Sequence, residues 1–254
     1  MNNLDNYNRE EKDFNSFSDA NNSVEQLTDT YQNQLAAASK TLMTKVYGWM
    51  CGALAITALT ALYCANSVSI MNFIFSSKIT FWGLLILEFG LVVGVTAMIE
   101  KLSLRTATLL FVLYSIVNGL TLSVIFFAYS ISTIATTFFI TAGMFGGMAL
   151  YGTLTKKDLS SWGGFLFMAL IGLILASIVN IFLQNSRFDL IVSVIGVFIF
   201  VGLTAFDAQK IKSMLANAED LSEGNQKIAL LGSLSLYLDF INMFLYLLRI
   251  FGRK

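Results

Sequence analysis

Histidine and proline are absent from this 254-residue chain, and charged side chains make up only 13% of it. Without histidine, the chain can form neither a histidine-based catalytic triad nor a histidine metal site. Without proline, a break in a helix must come from glycine or from a polar insertion. Cys51 and Cys64 are 13 residues apart in one apolar segment. As helix, that separation is ~20 Å, which is too long for a disulfide.

Apolar residues make up 56% of the chain, and its mean hydropathy is +0.70. So little charge cannot cover a soluble domain of this length, so the composition indicates a membrane protein. The net charge is zero, which gives no basic field for nucleic acid. The first apolar run begins near Val46, behind a long polar tail, and is therefore expected to remain as a span and not to be cleaved as a signal peptide.

Runs of about 20 apolar residues are long enough to cross the hydrocarbon of a bilayer, where the backbone must be helical. The chain is therefore predicted to be an all-α polytopic membrane protein with two parts: a polar, largely disordered cytoplasmic tail (1–40) and a transmembrane domain (41–254). The predicted helices cover residues 45–65, 79–99, 106–128, 133–154, 161–183, 189–212 and 227–250. The seventh carries Asp239 and Asn242 in its middle, so we expect the other six to pack around it.

Lysine and arginine in the short loops predict the orientation, because cytoplasmic loops carry an excess of these residues. With the N-terminus in the cytoplasm, one side holds Lys40, Lys45, Lys101, Arg105, Lys156, Lys157, Lys210, Lys212 and Lys227. The other side holds Lys78 and Arg187. The exceptions are Arg249, Arg253 and Lys254, which lie outside if the seventh segment crosses fully. A re-entrant seventh segment is the alternative.

Three acidic residues lie within predicted spans: Glu88, Asp207 and Asp239. A charge at the bilayer centre costs about 2.5–3.5 kcal/mol on insertion scales, and such residues usually mark an ion or proton path. Asp207 and Asp239 are each about 16 residues from the midpoint of a turn predicted at Leu221–Gly224, which places both carboxyls at one depth. Two close carboxyls would share a proton or bind a cation. A pair that only joins two helices by hydrogen bonds is the alternative.

Two apolar helices also carry polar residues at helical spacing. On the seventh helix these are Ser235, Asp239, Asn242 and Tyr246, and on the third they are Tyr114, Asn118 and Thr121. The two faces are predicted to face each other or a water-filled path, with helix–helix hydrogen bonding as the alternative. In the fourth helix, Gly143, Gly146 and Gly147 predict close helix packing.

Residues 42–252 resemble the transmembrane Bax inhibitor-motif family. The resemblance rests on KVYGWM at Lys45–Met50, NGLTLS at Asn118–Ser123, FDAQKIK at Phe206–Lys212 and LSLYLDFINMFLYLLRIFG at Leu234–Gly252. It implies six helices around a central seventh and a passive, pH-dependent calcium leak.

The resemblance also implies a pH latch formed by an aspartate pair, as described for bacterial members of this family. The pair falls here on Asp207 and Asp239, which are also the candidate calcium contacts. Glu88 falls on an acidic position of the family's second helix. Some members place an arginine at the inner end of that helix as a partner of the latch. This chain has Glu100 and Lys101 there, with Arg105 beyond them.

Three functions remain open at this point. The first is a pH-sensitive calcium leak, and the second is a regulator that binds other membrane proteins, such as a quality-control protease. The third, an intramembrane aspartyl protease, is disfavoured because the residues around Asp239 lack the flanking glycine typical of such enzymes. We expect no enzyme activity, no cofactor and no nucleic-acid partner. The expected partners are the lipid bilayer with calcium or protons, and the expected location is a bacterial plasma membrane.

Overall fold

The structure, a computed structural model, describes the backbone of residues 2–75 and 77–253 and most side chains from Glu25 onward. This part of the polypeptide consists of helices joined by loops. Within these residues the helices are α1 (Asn2–Ala65), α2 (Val68–Phe75), α3 (Lys78–Met98), α4 (Leu104–Leu122), α5 (Ile125–Ala128), α6 (Ile131–Leu154), α7 (Trp162–Leu183), α8 (Ser186–Leu215) and α9 (Glu223–Phe251). A bilayer requires such a backbone, because its hydrocarbon has no water to bond the open edges of strands. The all-α class is confirmed.

Six helical stretches are long and apolar enough to cross a membrane. They are the Glu25–Ala65 part of α1, α4 together with α5, α6, α7, α8 and α9. Helix α3 has 21 residues, of which Trp82–Met98 form a shorter apolar helix, and it corresponds to the second predicted span, 79–99. The chain is therefore an integral membrane protein with six to seven apolar helices able to span a bilayer.

The structure differs from the predicted helices at three places. The backbone is helical from Asn2 onward, where the sequence predicts a largely disordered tail. Helix α2 lies between the first two predicted spans and has no counterpart in the prediction. A single helix is predicted at 106–128, but α4 ends at Leu122, and near this break the Ser123 hydroxyl donates to the Leu120 carbonyl at 2.6 Å. The division into tail and membrane domain stays a prediction.

One end of the bundle, which we call the basic end, holds most of the described lysines, on helices as well as in loops. Here the Glu223 carboxylate accepts a hydrogen bond from the Leu104 backbone N–H at 2.8 Å. The Lys212 ammonium donates to the Thr153 carbonyl at 2.6 Å. These contacts place the start of α4, the end of α6, the end of α8 and the start of α9 together. The side of the membrane that this end faces stays a prediction.

Helix α9 runs from the basic end to the opposite end of the bundle. It is one continuous helix of 29 residues, about 44 Å long at 1.5 Å per residue. Beyond its last turn, the Arg253 guanidinium donates to the Ser186 carbonyl at the start of α8. This arrangement favours full crossing over a re-entrant segment. Arg249 and Arg253 therefore lie at the end of the bundle opposite to the basic end.

Helix α9 is also the most buried of the candidate spans. In its most apolar 18-residue stretch 67% of the residues are buried, against 11–44% in the other five. It packs against α1, α4, α6 and α8. Such burial suits a helix that carries an ionisable side chain, which lipid would not accommodate.

Close helix packing uses other glycines than the sequence predicts. A Cβ added at Gly143, Gly146 or Gly147 would meet no atom within 4 Å, so these three do not provide close contacts within the described chain. A Cβ at Gly152 would instead overlap the Ala205 carbonyl oxygen. Helices α6 and α8 can therefore approach each other closely because this position has no side chain.

Candidate functional site

Side chains from α3, α4, α7, α8 and α9 line a cavity of about 520 Å³, which we call the acidic cavity. Among the residues that line it are seven of the nine predicted site residues: Glu88, Tyr114, Asp207, Ser235, Asp239, Asn242 and Tyr246. Lysine and arginine are absent from this lining in the described part of the chain. Three acidic side chains from three helices thus share one cavity without a cationic side chain.

The two aspartates are not at one depth, so the equal-arm prediction is wrong. Helix α9 begins at Glu223, inside the segment where the sequence predicts the turn, and the loop occupies residues 216–222. Asp207 is therefore 8 residues from the end of α8, whereas Asp239 is 16 residues from the start of α9. The loop is stabilised by Asp220, whose carboxylate accepts the Ser222 backbone N–H, and this bond lowers the pKa of Asp220.

Asp207 is bonded to a serine and not to Asp239. Its carboxyl accepts a hydrogen bond from the Ser235 hydroxyl, which joins α8 to α9. Asp239 follows Ser235 by four residues, which is about 6 Å along the helix. Both carboxyls line the acidic cavity, and no hydrogen bond joins them among the described residues. Asp207 and Asp239 are thus neighbours offset by about one helical turn.

Asp239 is the most deeply buried of the acids that line the cavity. Its side chain is 5% exposed, and its Oδ2 atom has no hydrogen-bond partner among the described residues. An ionised carboxylate without a donor or a cation is costly in such surroundings. This oxygen is therefore suited to receive a proton, a water molecule or a cation.

Glu88 lies opposite the polar residues of α4. Its Oε1 atom is buried without a hydrogen-bond partner among the described residues, and Thr121 faces it without a well-formed hydrogen bond. On α4 the Asn118 amide donates to the Tyr114 hydroxyl at 3.4 Å, while the Asn118 Oδ1 atom has no partner in the described part. Of these α4 residues only Tyr114 lines the acidic cavity. The predicted polar faces of α4 and α9 therefore meet in part.

The last two polar residues of α9 make contacts that are mainly structural. The Asn242 amide donates to the Leu238 carbonyl of its own helix at 2.8 Å. The Tyr246 ring stacks on Phe200 at 5.9 Å, with the Arg249 guanidinium 5.3 Å from the ring centroid. Both residues therefore contribute walls to the cavity, and Tyr246 packs α9 against α8.

A smaller cavity of about 240 Å³ lies on the other side of the Asp207–Ser235 contact. Asp207 and Ser235 line both cavities, and Lys210 lines only the smaller one. Lys210 also lies over the Phe206 ring, with its Nζ atom 5.9 Å from the ring centroid. The hydrogen-bonded pair therefore forms a wall between the acidic cavity and a space that leads toward the basic end.

Arg249 is engaged at the opposite end of the bundle. Its guanidinium forms an ion pair with Asp189 at 3.9 Å, and Asp189 also accepts a hydrogen bond from Asn180 at 3.1 Å. Arg249 does not line the acidic cavity in the described chain. Lys210, in contrast, shares the smaller cavity with Asp207.

Sequence reasoning missed a buried polar contact between α1, α4 and α9. The Thr57 and Tyr237 hydroxyls are 2.7 Å apart, and Thr57 donates to the Ser115 carbonyl at 2.9 Å. Tyr237 is completely buried. A buried tyrosine hydroxyl usually finds a polar partner, so Tyr237 inside an apolar segment was the feature that could have predicted this contact.

Calcium binds oxygen ligands, typically six to eight of them. The described residues contain no group of three or more acidic, cysteine or histidine side chains placed to hold a metal ion. Contact of calcium with Asp207 and Asp239 therefore stays a prediction. The lining of the acidic cavity also includes hydroxyl and amide side chains, whose oxygens are possible ligands for a hard cation.

The family is established by comparison with known proteins. The model of the family described as "Inhibitor of apoptosis-promoting Bax1" matches residues 39–254. This chain belongs to the Bax1 inhibitor family. The match covers every described helix from the last part of α1 onward, including all nine predicted site residues.

Several bacterial members of this family are similar to this chain along most of their length. The protein named "Inner membrane protein YbhL" of Escherichia coli K12 is 50% identical over 222 residues, covering 87% of this chain and 95% of that protein. An uncharacterized protein of Borreliella burgdorferi is 42% identical over 225 residues, covering 89% and 97%. The uncharacterized protein RP147 of Rickettsia prowazekii is 39% identical over 231 residues, covering 90% and 96%.

Proposed function

We propose that this protein is a pH-sensitive calcium leak channel in which protonation of Asp207 and Asp239 controls passage through the bundle. The observation that carries this proposal is the acidic cavity, where three carboxyl groups meet without a cationic side chain. Acids inside a membrane protein usually mark the path of an ion or a proton. We further propose that the other spanning helices surround α9, with the N-terminus in the cytoplasm of a bacterium.

The gate in this proposal is the contact between α8 and α9. One state has a proton between the two aspartates, and the other has the bond from Ser235 to Asp207. Because the aspartates are offset by about a turn, changing partner needs a shift of side chains or a small sliding of one helix. The same contact separates the two cavities, so a change there would connect or divide them.

Loss of a single proton is enough to change the preferred state. For two full charges separated by the rise of one helical turn, about 6 Å, the repulsion is about 3 kcal/mol at an effective dielectric near 20. About 1.4 kcal/mol changes an equilibrium tenfold, so this repulsion is sufficient for a population shift. Calcium suits the path because it is a hard cation that binds carboxylate, hydroxyl and amide oxygens.

The experiment that tests this function is calcium flux into liposomes that contain only the purified full-length protein. We expect flux above that of protein-free liposomes, with a rate that depends on pH, because a leak needs no partner and no cofactor. Liposomes with the Asp207→Asn, Asp239→Asn double variant are the matched control for the pH dependence. Absence of flux at every pH would reject the leak and leave a regulator that acts by binding other membrane proteins.

A further inference from the structure

A separate cavity of about 860 Å³ lies at the basic end between α1, α6 and α8. Its polar lining includes Lys40 and Tyr47 from α1 and Lys212 and Asn217 from α8 and the residues after it. Its size falls in the range of about 300–1,000 Å³ that is usual for small-molecule sites. None of its lining residues belongs to the acidic cavity.

The charge of this cavity is positive and not neutralised. Lys40 and Lys212 line it, no acidic residue does, and neither lysine forms an ion pair with another described residue. Lys212 donates one hydrogen bond to the Thr153 carbonyl, which leaves two of the three ammonium N–H groups for a ligand. Glu219 follows the lining residue Asn217 by two positions, but it does not line the cavity itself. Its carboxylate accepts a hydrogen bond from the Tyr31 hydroxyl.

The other wall of the cavity is apolar and continues onto the lipid-facing surface. Leu35 and Met43 line it from α1, and Leu150 and Leu154 line it from the last turns of α6. The two leucines of α6 are 61% and 75% exposed on a spanning helix, where the surroundings are lipid. The cavity therefore has cationic groups at the end of the bundle and an apolar side toward the hydrocarbon.

We propose that this cavity binds the headgroup of an anionic phospholipid, with the phosphate near Lys40 and Lys212 and the acyl chains along Leu150 and Leu154. Basic pockets between helices at a membrane surface are suited to such headgroups. A free phosphate would leave the apolar wall without contacts. A zwitterionic headgroup would bring its own cation against the two lysines, which is unfavourable.

The test measures phospholipid binding to the purified full-length protein in neutral detergent by native mass spectrometry. Phosphatidylglycerol is compared with phosphatidylcholine of the same acyl chains, and inorganic phosphate is added as a competitor. The variants are Lys40→Gln, Lys212→Gln and, as matched control, Lys101→Gln, an exposed lysine at the same end that does not line the cavity. Each cavity lysine is expected to contribute about fivefold in affinity.

We expect preferential binding of phosphatidylglycerol, a loss of about fivefold in Lys40→Gln and in Lys212→Gln, and no change in Lys101→Gln. Inorganic phosphate at millimolar concentration should not displace the lipid. Equal binding of both lipids would overturn the proposal, as would an equal loss in Lys101→Gln, which indicates a diffuse charge effect. Displacement by inorganic phosphate would overturn it as well, because the cavity would then recognise phosphate alone. Thermal unfolding of each variant verifies that it is folded.

Discussion

Ser235 offers a direct test of the Asp207 environment, since its hydroxyl donates to that carboxyl. Replacing Ser235 by alanine removes a donor that stabilises the ionised carboxylate, so the midpoint of calcium flux against pH is expected to move to higher pH. The matched control is Ser233→Ala, because the Ser233 hydroxyl is buried and donates only to the Ala229 carbonyl of its own helix, at 2.8 Å. Identical profiles for the two variants would show that the Ser235 bond has no part in gating.

Glu88 has a buried oxygen without a partner among the described residues and lines the same cavity as the aspartates. Glu88→Gln keeps the size and hydrogen-bonding capacity of the side chain but removes its charge. We expect this variant to fold and to carry calcium more slowly in liposomes, because one of three acids on the path is lost. Glu100→Gln, in the exposed loop after α3, should leave the flux unchanged. If Glu88→Gln matches the wild-type flux, Glu88 has a structural role.

Much of the acidic cavity could be predicted from residue spacing alone. Polar residues at helical spacing on α9 identified one wall, and the cost of an acid in hydrocarbon identified Glu88, Asp207 and Asp239. Spacing could not predict that Asn118 and Thr121 lie outside the lining, because this depends on how α4 rotates against its neighbours. Nor could it predict the Ser235–Asp207 bond, since the position of the turn sets which residues of α8 and α9 are level.

At the scale of elements, long apolar runs predicted the helices well because hydrocarbon thickness fixes their length. The short helices α2 and α5 were harder to predict from the sequence, because hydrocarbon thickness does not fix their length. The prediction of close packing at Gly143, Gly146 and Gly147 was wrong because it depends on how the helix is rotated against its neighbours, as the polar faces do. Glycines in a sequence show that a helix can be approached closely, but the fold decides at which glycine the contact is made. Gly143 faces away from neighbouring atoms, and Gly152 faces α8.

This difference between two glycines of one helix gives a stability prediction. Gly152→Ala should lower the Tm of the protein in detergent by several degrees, because the new methyl group would overlap the Ala205 carbonyl and overpacking costs about 1–3 kcal/mol. Gly143→Ala adds a methyl group where no atom lies within 4 Å, so its Tm should stay the same or rise slightly. Equal destabilisation by both changes would argue against the close contact between α6 and α8.

The arrangement of the helix ends predicts which loops are accessible from each side. The test uses a variant that lacks Cys51 and Cys64, into which one cysteine at a time is introduced in place of Lys101, Lys156 or Asn217. None of these cysteines should be labelled by an impermeant thiol reagent applied to intact cells. A cysteine at Arg253 should react, since the end of α9 lies with the start of α8 at the opposite end. Labelling of the Lys156 loop from outside would overturn the predicted cytoplasmic orientation.

At the scale of the whole molecule, the most buried of the candidate spans, α9, also contributes the largest group of side chains to the acidic cavity. Helix α9 brings Ser235 and Asp239 to the acidic cavity, and α8 and α3 bring Asp207 and Glu88 to the same cavity. The basic end collects most of the lysines, while the acids inside the bundle have few cations near them. Because of this separation, the lining of the acidic cavity has no cationic side chain in the described part of the chain to neutralise its carboxyl groups.

The most direct test of the central claim is the pH profile of calcium flux in liposomes for the wild type, Asp207→Asn, Asp239→Asn and the double variant. Asparagine keeps hydrogen bonding but cannot titrate, so each single variant should flatten the profile. The double variant should add little to either, because the two residues act as one unit. Wild-type pH profiles in both single variants would contradict the account and reduce the pair to a contact that only joins α8 and α9.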